Sequence, residues 1–472
     1  MIKFGTSGFR GVIGDNFTKE NTCKLAYALG ALIKKEKITE PIVDIAFDNR
    51  FMGEFFAKWA AEVLVAYGVK VNFYTESLPS PALAFMAKKH TFGIVLTASH
   101  NPFYYNGIKV FSGGRDVPDE YSSKIEKIAN SVKYKNIKSV PYESGVESGK
   151  ITELTRFDEY IKSILSFVNK KSIQEYNPKI LFNVMHGNAT TAIKDICKRL
   201  GLKNYEIMKE NLDPYFEHGL PAPYLKNLGE QAKRVQKEKF DIGLALDGDS
   251  DRITCIDKSG EIYDCNYILT LLYNYFIEAK GYTGGVAHNT AFTNLLSLVC
   301  KAHDKPEYIS KVGFKHIAEI FLKSDAFIGG ETNGIALKDH LLSKDGVLAS
   351  FLLIDLISHY KKSFKELLTK LEKKYNFKGK VLEFAYPISL TKKAEITDKV
   401  FVKKDLPLLD KKLISSSYAD GAKYIFENGY WGMIRFSGNE NVVRIFAEME
   451  EEKTCLEQIA KLEDFIGVKV RQ

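Results

Sequence analysis

The stretch FGIVLTASHNP, Phe92–Pro102, decides how the chain reads. Its first five residues are an apolar run, short enough to be a buried strand. The run stops abruptly in TASHNP, Thr97–Pro102. A buried strand that ends in polar side chains sets them on the rim of a sheet, and in open α/β sheets ligands bind at the carboxyl ends of strands. Ser99 is then presented with His100 beside it and Lys109 close behind in NGIK, Asn106–Lys109. A hydroxyl with cationic neighbours suits phosphate chemistry, because a phosphoserine carries about −1.5 to −2 units of charge that must be balanced. In isolation, a capping serine in an Asn-Pro turn is the simpler reading. The remainder of the chain weighs against it.

On either side of this stretch, helix-like and strand-like segments alternate. Lys19–Lys35 has a helix pattern, Ile42–Phe47 is an apolar run, a helix passes through Trp59–Tyr67, Val69–Tyr74 reads as a strand, and a helix starts at Pro81. Such alternation predicts a largely parallel, layered α/β sheet. The polar stretch Lys124–Lys150 reads as a surface helix and a domain joint. A second α/β unit starts near Ile151, with a helix to Val168, a strand at Ile180–Val184 and a helix at Thr190–Leu200. A third covers roughly Ile256–Lys374 and ends in one long apolar helix, Gly346–Lys373. From Lys378 the runs become short and β-like (Val381–Ala385, Ala422–Phe426, Gly432–Phe436, Val442–Glu448), and a final helix follows.

A chain of 472 residues exceeds one simple core and predicts about three or four domains. With 45% apolar and 12% aromatic residues the composition is that of a globular protein. The net charge of +8 comes from 67 basic and 59 acidic residues spread in short runs, which predicts solvated faces in place of a nucleic-acid track. Six scattered cysteines without CxxC spacing read as free thiols in a reducing compartment. No signal segment or membrane-length apolar run is legible, so a cytoplasmic protein without membrane or nucleic-acid partners is expected, as a monomer or homodimer.

Further motifs carry chemistry. GTSGFRG at Gly5–Gly11 gathers glycines and hydroxyls around Arg10, which suits close approach to an anion. The strand Phe240–Leu246 runs into DGDSDR, Asp247–Arg252. Three carboxylates at alternate positions can converge on one hard cation, and all-oxygen ligation favours magnesium. An EF-hand is excluded, since its sixth and twelfth positions would be Arg252 and Lys258. KVGFKH (Lys311–His316) opens a helix, and GGETNG (Gly329–Gly334) reads as a turn closing the strand Ala326–Ile328, its Glu331 and Asn333 suited to sugar hydroxyls. RFSGNENVVR (Arg435–Arg444) offers Arg435, Ser437, Gly438 and Asn439 as phosphate donors. MHGN at Met185–Asn188 ends another strand in polar residues; His186 reads as a ligand or as part of a helix-entry turn.

In this order, GTSGFRG, TASHNP with NGIK, DGDSDR, GGETNG with KDG (Lys344–Gly346) and RFSGNE resemble the motifs of the α-D-phosphohexomutases, the phosphoglucomutases and phosphomannomutases, along the whole chain. The resemblance implies three related α/β domains with mixed sheets and a C-terminal α+β domain around a central cleft. The boundaries expected are 1–148, 149–255, 256–375 and 376–472. By motif, Ser99 is the phosphoserine that gives and takes the phosphoryl group, and Asp247, Asp249 and Asp251 hold Mg²⁺ with a phosphoserine oxygen. Arg10, His100, Lys109 and Arg252 line that centre. Glu331, Thr332 and Asn333 grip the sugar, while Arg435, Ser437, Gly438, Asn439 and Arg444 belong to the clamp for the idle phosphate. The family reaction passes through a hexose 1,6-bisphosphate that turns over in the cleft. Where the family reads GEESG or GEMSG, Thr332 and Asn333 intervene; where it reads SGTEP, Asn439 and Asn441 stand in. GFK at Gly313–Lys315 is similar to the phosphoglucomutases, which makes Lys315 or His316 a candidate general acid/base. Glucose 1-phosphate and glucose 6-phosphate are therefore the expected substrates, with glucose 1,6-bisphosphate as activator; mannose or glucosamine phosphates are the alternative. An Mg-dependent serine phosphatase is a further reading.

Overall fold

The computed structural model describes residues 1–5, 8–408, 411–437 and 441–468. These form two compact units, one of Met1–Cys265 with Asn333–Lys365, the other of Asn266–Thr332 with Glu366–Gln472.

The first unit contains two sheets. One comprises β1 (Phe9–Val12), β2 (Ile42–Phe47), β3 (Lys70–Tyr74), β4 (Phe92–Leu96), β5 (Tyr105–Ser112), β6 (Arg115–Asp116) and β7 (Ile151–Leu154). Its order is β1-β5-β4-β2-β3-β7, with β6 beside β5. β4, β2, β3 and β7 run parallel, while β5 is antiparallel to both β1 and β4. All five residues of β4 are buried, as a continuous apolar run requires when helices cover both faces of a sheet. The helix Lys19–Lys35 shows how local chemistry sets an element. Thr18 caps it by accepting from Asn21 N at 3.2 Å, Cys23, Leu25, Ala26, Leu29, Leu32 and Ile33 form its buried stripe, and Lys34 and Lys35 occupy its last turn.

The second sheet, ordered β12-β11-β10-β8-β9, comprises β8 (Ile180–Asn183), β9 (Tyr205–Met208), β10 (Ile242–Leu246), β11 (Ile253–Asp257) and β12 (Ile262–Tyr263). It repeats the mixed pattern: β10, β8 and β9 are parallel, and β11 is antiparallel to its neighbours.

The second unit contains the parallel strands β13 (Val286–Asn289), β14 (Glu307–Ser310) and β15 (Ile328–Glu331), with β13 central. The chain then contributes β16 (Gly334–Leu337) and the helix Gly346–Tyr360 to the first unit. Back in the second unit, β17 (Lys380–Pro387), β18 (Leu413–Ser417), β19 (Ala422–Phe426), β20 (Trp431–Phe436) and β21 (Val442–Met449) form an antiparallel sheet ordered β17-β21-β20-β19-β18. The helix Glu452–Ile466 covers it with Cys455, Ile459, Leu462 and Ile466. Buried Glu448 of β21 accepts from Thr293 Oγ1 at 2.6 Å, Asn294 N at 3.0 Å and Trp431 Nε1 at 2.9 Å.

The architecture is that of three α/β modules with mixed sheets and a C-terminal sheet module, but four expectations change. The boundary at 148/149 precedes β7, where a helix was expected from Ile151 on; β7 pairs with β3 and extends the first sheet. The boundary at 255/256 falls inside β11, so it belongs after β12. Gly329, Gly330 and Glu331 of GGETNG lie in β15 itself, not in a turn beyond it. The single helix Gly346–Lys373 is two, Gly346–Tyr360 and Phe364–Lys374, because Lys361 takes a left-handed φ of 51° and ends the first.

Candidate active site

Beyond β4 the chain turns so tightly that Ser99 adopts φ +52°, an uncommon conformation for a residue with a β-carbon. Thr97 Oγ1 accepts from Ser99 N at 2.8 Å and donates to Asp48 Oδ2 at 2.5 Å. The buried Ser99 hydroxyl donates to Asp247 Oδ2 at 2.8 Å, and His100 Nδ1 lies 3.3 Å from the same Oγ.

Asp247, Asp249 and Asp251 occupy the link between β10 and β11, and one oxygen of each lies within 4.8 Å of the others. Lys109 of β5 places Nζ 2.5 Å from Asp249 Oδ2 and 2.7 Å from Asp251 Oδ2. Ser80 donates to Asp249 Oδ2 at 2.6 Å, and Arg252 N to Asp247 Oδ1 at 3.1 Å. A β-carbon on Gly248 would lie 2.8 Å from the Ser99 carbonyl oxygen, so only glycine lets the two loops touch. Arg10 donates to Asn101 Oδ1 at 2.7 Å, Arg252 Nη1 to the Tyr224 hydroxyl at 3.1 Å, and Lys344 Nζ lies 3.6 Å from Asp251 Oδ1.

Burial and charge divide the protonation states. Burial, with Asp251 and Asp249 beside it, pushes the Asp247 carboxyl up to about 7. Burial acts in the same sense on Asp249 and Asp251, yet Lys109 holds both below the usual carboxylate range, helped at Asp251 by Lys344 and Arg252. Burial, then Arg252, Arg10, Lys344 and Lys109, hold His100 well below the ordinary imidazole value, which keeps the ring neutral. Asp249 Oδ1 and Asp251 Oδ1 are buried without a hydrogen-bond partner. Unpartnered carboxylate oxygens in an all-oxygen cluster fit a small hard cation such as Mg²⁺.

In the second unit, Glu331 ends β15 buried and accepts from Gly313 N at 2.5 Å, which fixes the turn that starts the helix Phe314–Lys323. Lys315 and His316 sit half-buried in the first turn of that helix, and Thr332 follows Glu331. Arg435 Nε lies 3.3 Å from Asp420 Oδ2, and the same oxygen accepts from Val312 N at 2.7 Å. Arg435 faces Arg444 across β20 and β21, and Arg444 pairs with Glu383. Ser437 N donates to Val442 O at 2.8 Å. Gly438 and Asn439 lie outside the described residues.

The first unit thus gathers Ser99, His100, Lys109, Arg10, Arg252 and the three aspartates, while Asn333 opens the segment that brings Lys344 to them. Glu331, Thr332, Lys315, Arg435, Ser437 and Arg444 belong to the second unit. In MHGN the contributor is Asn188, which accepts from Ser250 Oγ at 2.8 Å; His186 Nδ1 instead meets Asn211 O at 3.1 Å. Ser80, Tyr224, Asp420 and Asp48–Arg50 were not singled out by sequence, and Lys344 was quoted only as part of KDG. For Asp48–Arg50 a signal existed, since they follow β2 as TASH follows β4.

Residues 1–136, 158–260 and 264–375 match domains I, II and III of the phosphoglucomutase/phosphomannomutase family, each described as an alpha/beta/alpha domain. The chain belongs to this α-D-phosphohexomutase family. As a phosphohexomutase it is an enzyme of phosphate transfer within a sugar. Among relatives, it is 29% identical to a phosphoglucomutase/phosphomannomutase of Thermococcus kodakarensis, covering 99% of this chain and 98% of that protein. It is 30% identical to a phosphoglucosamine/phosphogalactosamine mutase of Sulfurisphaera tokodaii, with 99% of each chain covered. The crystal structure of a putative phosphomannomutase from Thermus thermophilus superposes with a TM-score of 0.85 at 27% identity, covering 98% of this phosphohexomutase and 99% of that chain.

Proposed function

We propose that this phosphohexomutase interconverts a hexose 1-phosphate and its 6-phosphate, with Ser99 as the residue that carries the phosphoryl group. The observation that carries the reading is the buried Ser99 hydroxyl 2.8 Å from Asp247, with Asp249 and Asp251 converging on the same centre. Asp247, Asp249 and Asp251, with an oxygen of phosphorylated Ser99, would hold Mg²⁺, which when bound would supply charge neutralisation to the transferring group. Arg10, Lys109 and Arg252 add positive charge around it, and neutral His100 beside Ser99 Oγ is a hydrogen-bond donor to a phosphoryl oxygen. Ser99 first gives its phosphoryl group to the sugar phosphate; the bisphosphate formed turns over and returns its other phosphate to Ser99.

Glu331, Thr332 and Asn333 orient the sugar, and Lys315 or His316 moves the hydroxyl proton. Arg435, Ser437, Gly438, Asn439 and Arg444 hold the phosphate that is not reacting. Glucose phosphates are the substrates favoured by GFK at Gly313–Lys315. The names of the relatives support mannose or glucosamine phosphates at least as well.

The test is conversion of glucose, mannose and glucosamine 1-phosphates to their 6-phosphates with Mg²⁺ and trace glucose 1,6-bisphosphate, beside free phosphate release. Isomerisation that disappears in Ser99→Ala, with the fold retained, is expected. Phosphate release without isomerisation identifies a serine phosphatase instead, and wild-type turnover in Ser99→Ala removes Ser99 from its role.

A further inference from the structure

Asp48, Asn49 and Arg50 leave the carboxyl end of β2 and reach two different parts of the centre. Arg50 is buried and bonds entirely inward. Its Nη1 donates to Pro102 O at 2.8 Å and Tyr105 O at 3.0 Å. Its Nη2 donates to Ser99 O at 2.6 Å and Asn101 O at 2.7 Å. The Phe216 ring lies 4.9 Å from the guanidinium carbon, and Asp48 Oδ2 lies 3.2 Å from Nε. One guanidinium thus binds four carbonyls of Ser99–Tyr105. Asp48 reaches the same loop through Thr97 Oγ1, which in turn accepts from Ser99 N.

Asn49 faces the other way. Its Nδ2 donates to His186 O and Gly187 O, each at 2.9 Å. The next residue, Asn188, donates to Leu78 O at 2.7 Å and accepts from Ser250, which stands between Asp249 and Asp251.

We infer that Asp48–Arg50 is a bracket that fixes the Ser99 loop against the carboxylate loop, with Arg50 and Asn49 as positioning residues for phosphoryl transfer. Neither touches the reacting atoms; Arg50 bonds to main-chain oxygens of the Ser99 loop and Asn49 to those of His186 and Gly187, and together they set where Ser99 Oγ points relative to Asp247. The planar fork is what this task needs, because a lysine ammonium cannot reach four carbonyls spread along a turn. The arrangement holds Ser99 in its left-handed conformation, which the loop alone would relax.

This inference rests on the reading of Ser99 as phosphoryl carrier, and the experiment separates the two. Wild type, Arg50→Lys, Arg50→Met and Asn49→Ala are incubated with glucose 1,6-bisphosphate and Mg²⁺. Ser99 phosphorylation is followed by intact mass, with kcat and KM measured separately and the thermal midpoint and Mg²⁺ affinity of each variant recorded. The expected result is a kcat lowered about tenfold to a hundredfold in Arg50→Lys, KM within about threefold of wild type, and slowed phosphorylation of Ser99 at unchanged Mg²⁺ affinity. Arg50→Met falls below Arg50→Lys, which retains the charge beside Asp48. Asn49→Ala, which strands no buried charge, shows the same split to a smaller degree and decides the matter if the Arg50 variants do not fold. A wild-type protein that takes no phosphoryl group onto Ser99 refutes the phosphoryl-carrier reading whatever the variants do. Uptake by wild type, with Asn49→Ala and any folded Arg50 variant matching it in kcat, overturns the bracket alone.

Discussion

Lys109 occupies a position where charge compensation is worth most. Its ammonium lies between Asp249 and Asp251, and all three groups are buried. Removing one partner of such a group leaves an uncompensated charge, which costs about 3–5 kcal/mol. Lys109→Met is therefore expected to lower stability by that order in chemical denaturation, and added Mg²⁺ should recover part of it by taking over the compensation. An undiminished midpoint without divalent cations would show the carboxylates balanced from elsewhere. Much of this centre was legible residue by residue, because Ser99–His100 and Asp247–Arg252 are contiguous and their chemistry is carried by the side chains themselves. The contacts of Arg50 and Lys344 were not, because one acts through four backbone carbonyls and the other meets Asp251 across 93 positions of sequence. The end of β2 and KDG mark their places in the chain without showing those contacts.

At the scale of elements, continuous apolar runs gave the central strands directly: Ile42–Phe47, Phe92–Leu96 and Ala422–Phe426 have the same limits in sequence and structure. Edge strands such as β7 and β12 were missed, since runs of four or two residues are too short to carry a periodicity. The helix Gly346–Tyr360 contributes more than its apolar length suggests. Asp345 caps it, accepting from Leu348 N at 2.8 Å, and Asp345 is itself held by Tyr160 and His340. A β-carbon on Gly346 would lie 2.4 Å from Arg252 O and 2.9 Å from Ser250 O, so the first turn of the helix rests directly on the carboxylate loop. Gly346→Ala must separate the two. The expected outcome in calorimetric titration is a loss of Mg²⁺ affinity of about tenfold or more, comparable with the loss of an outer-shell contact at a metal site; unchanged affinity would mean that the loop tolerates the displacement.

For the whole molecule, the division into two units predicts separable responses. A ligand that binds only the native carboxylate cluster stabilises the unit that contains it. Differential scanning calorimetry is expected to resolve two transitions, of which Mg²⁺ raises one. The other responds to pH through Glu448. Burial pushes its carboxyl from 4.5 up to about 7, against the pull of Thr293, Asn294, Trp431 and Lys423. Between those values the unfolded chain has released a proton that the native state retains, so stability is full at acid pH and falls as pH climbs through about 7, by up to about 3 kcal/mol. Glu448→Gln removes this dependence. Measured from about pH 5 to about pH 8, the stability of wild type relative to Glu448→Gln should decline, and a constant difference would contradict the assignment.

The chain passes between the two units three times, and this has a bearing on how the enzyme is made. When Cys265 leaves the ribosome, Ser99 and the three aspartates have all been synthesised, yet Lys344 and the helix that seats beneath them have not. At about 5–20 residues per second, the missing piece arrives on the order of ten seconds later, after about a hundred further residues. A nascent chain paused in that interval lacks the side chains of Val347, Phe351 and Ile354, so the apolar surface they are buried against in the finished protein is still open to water.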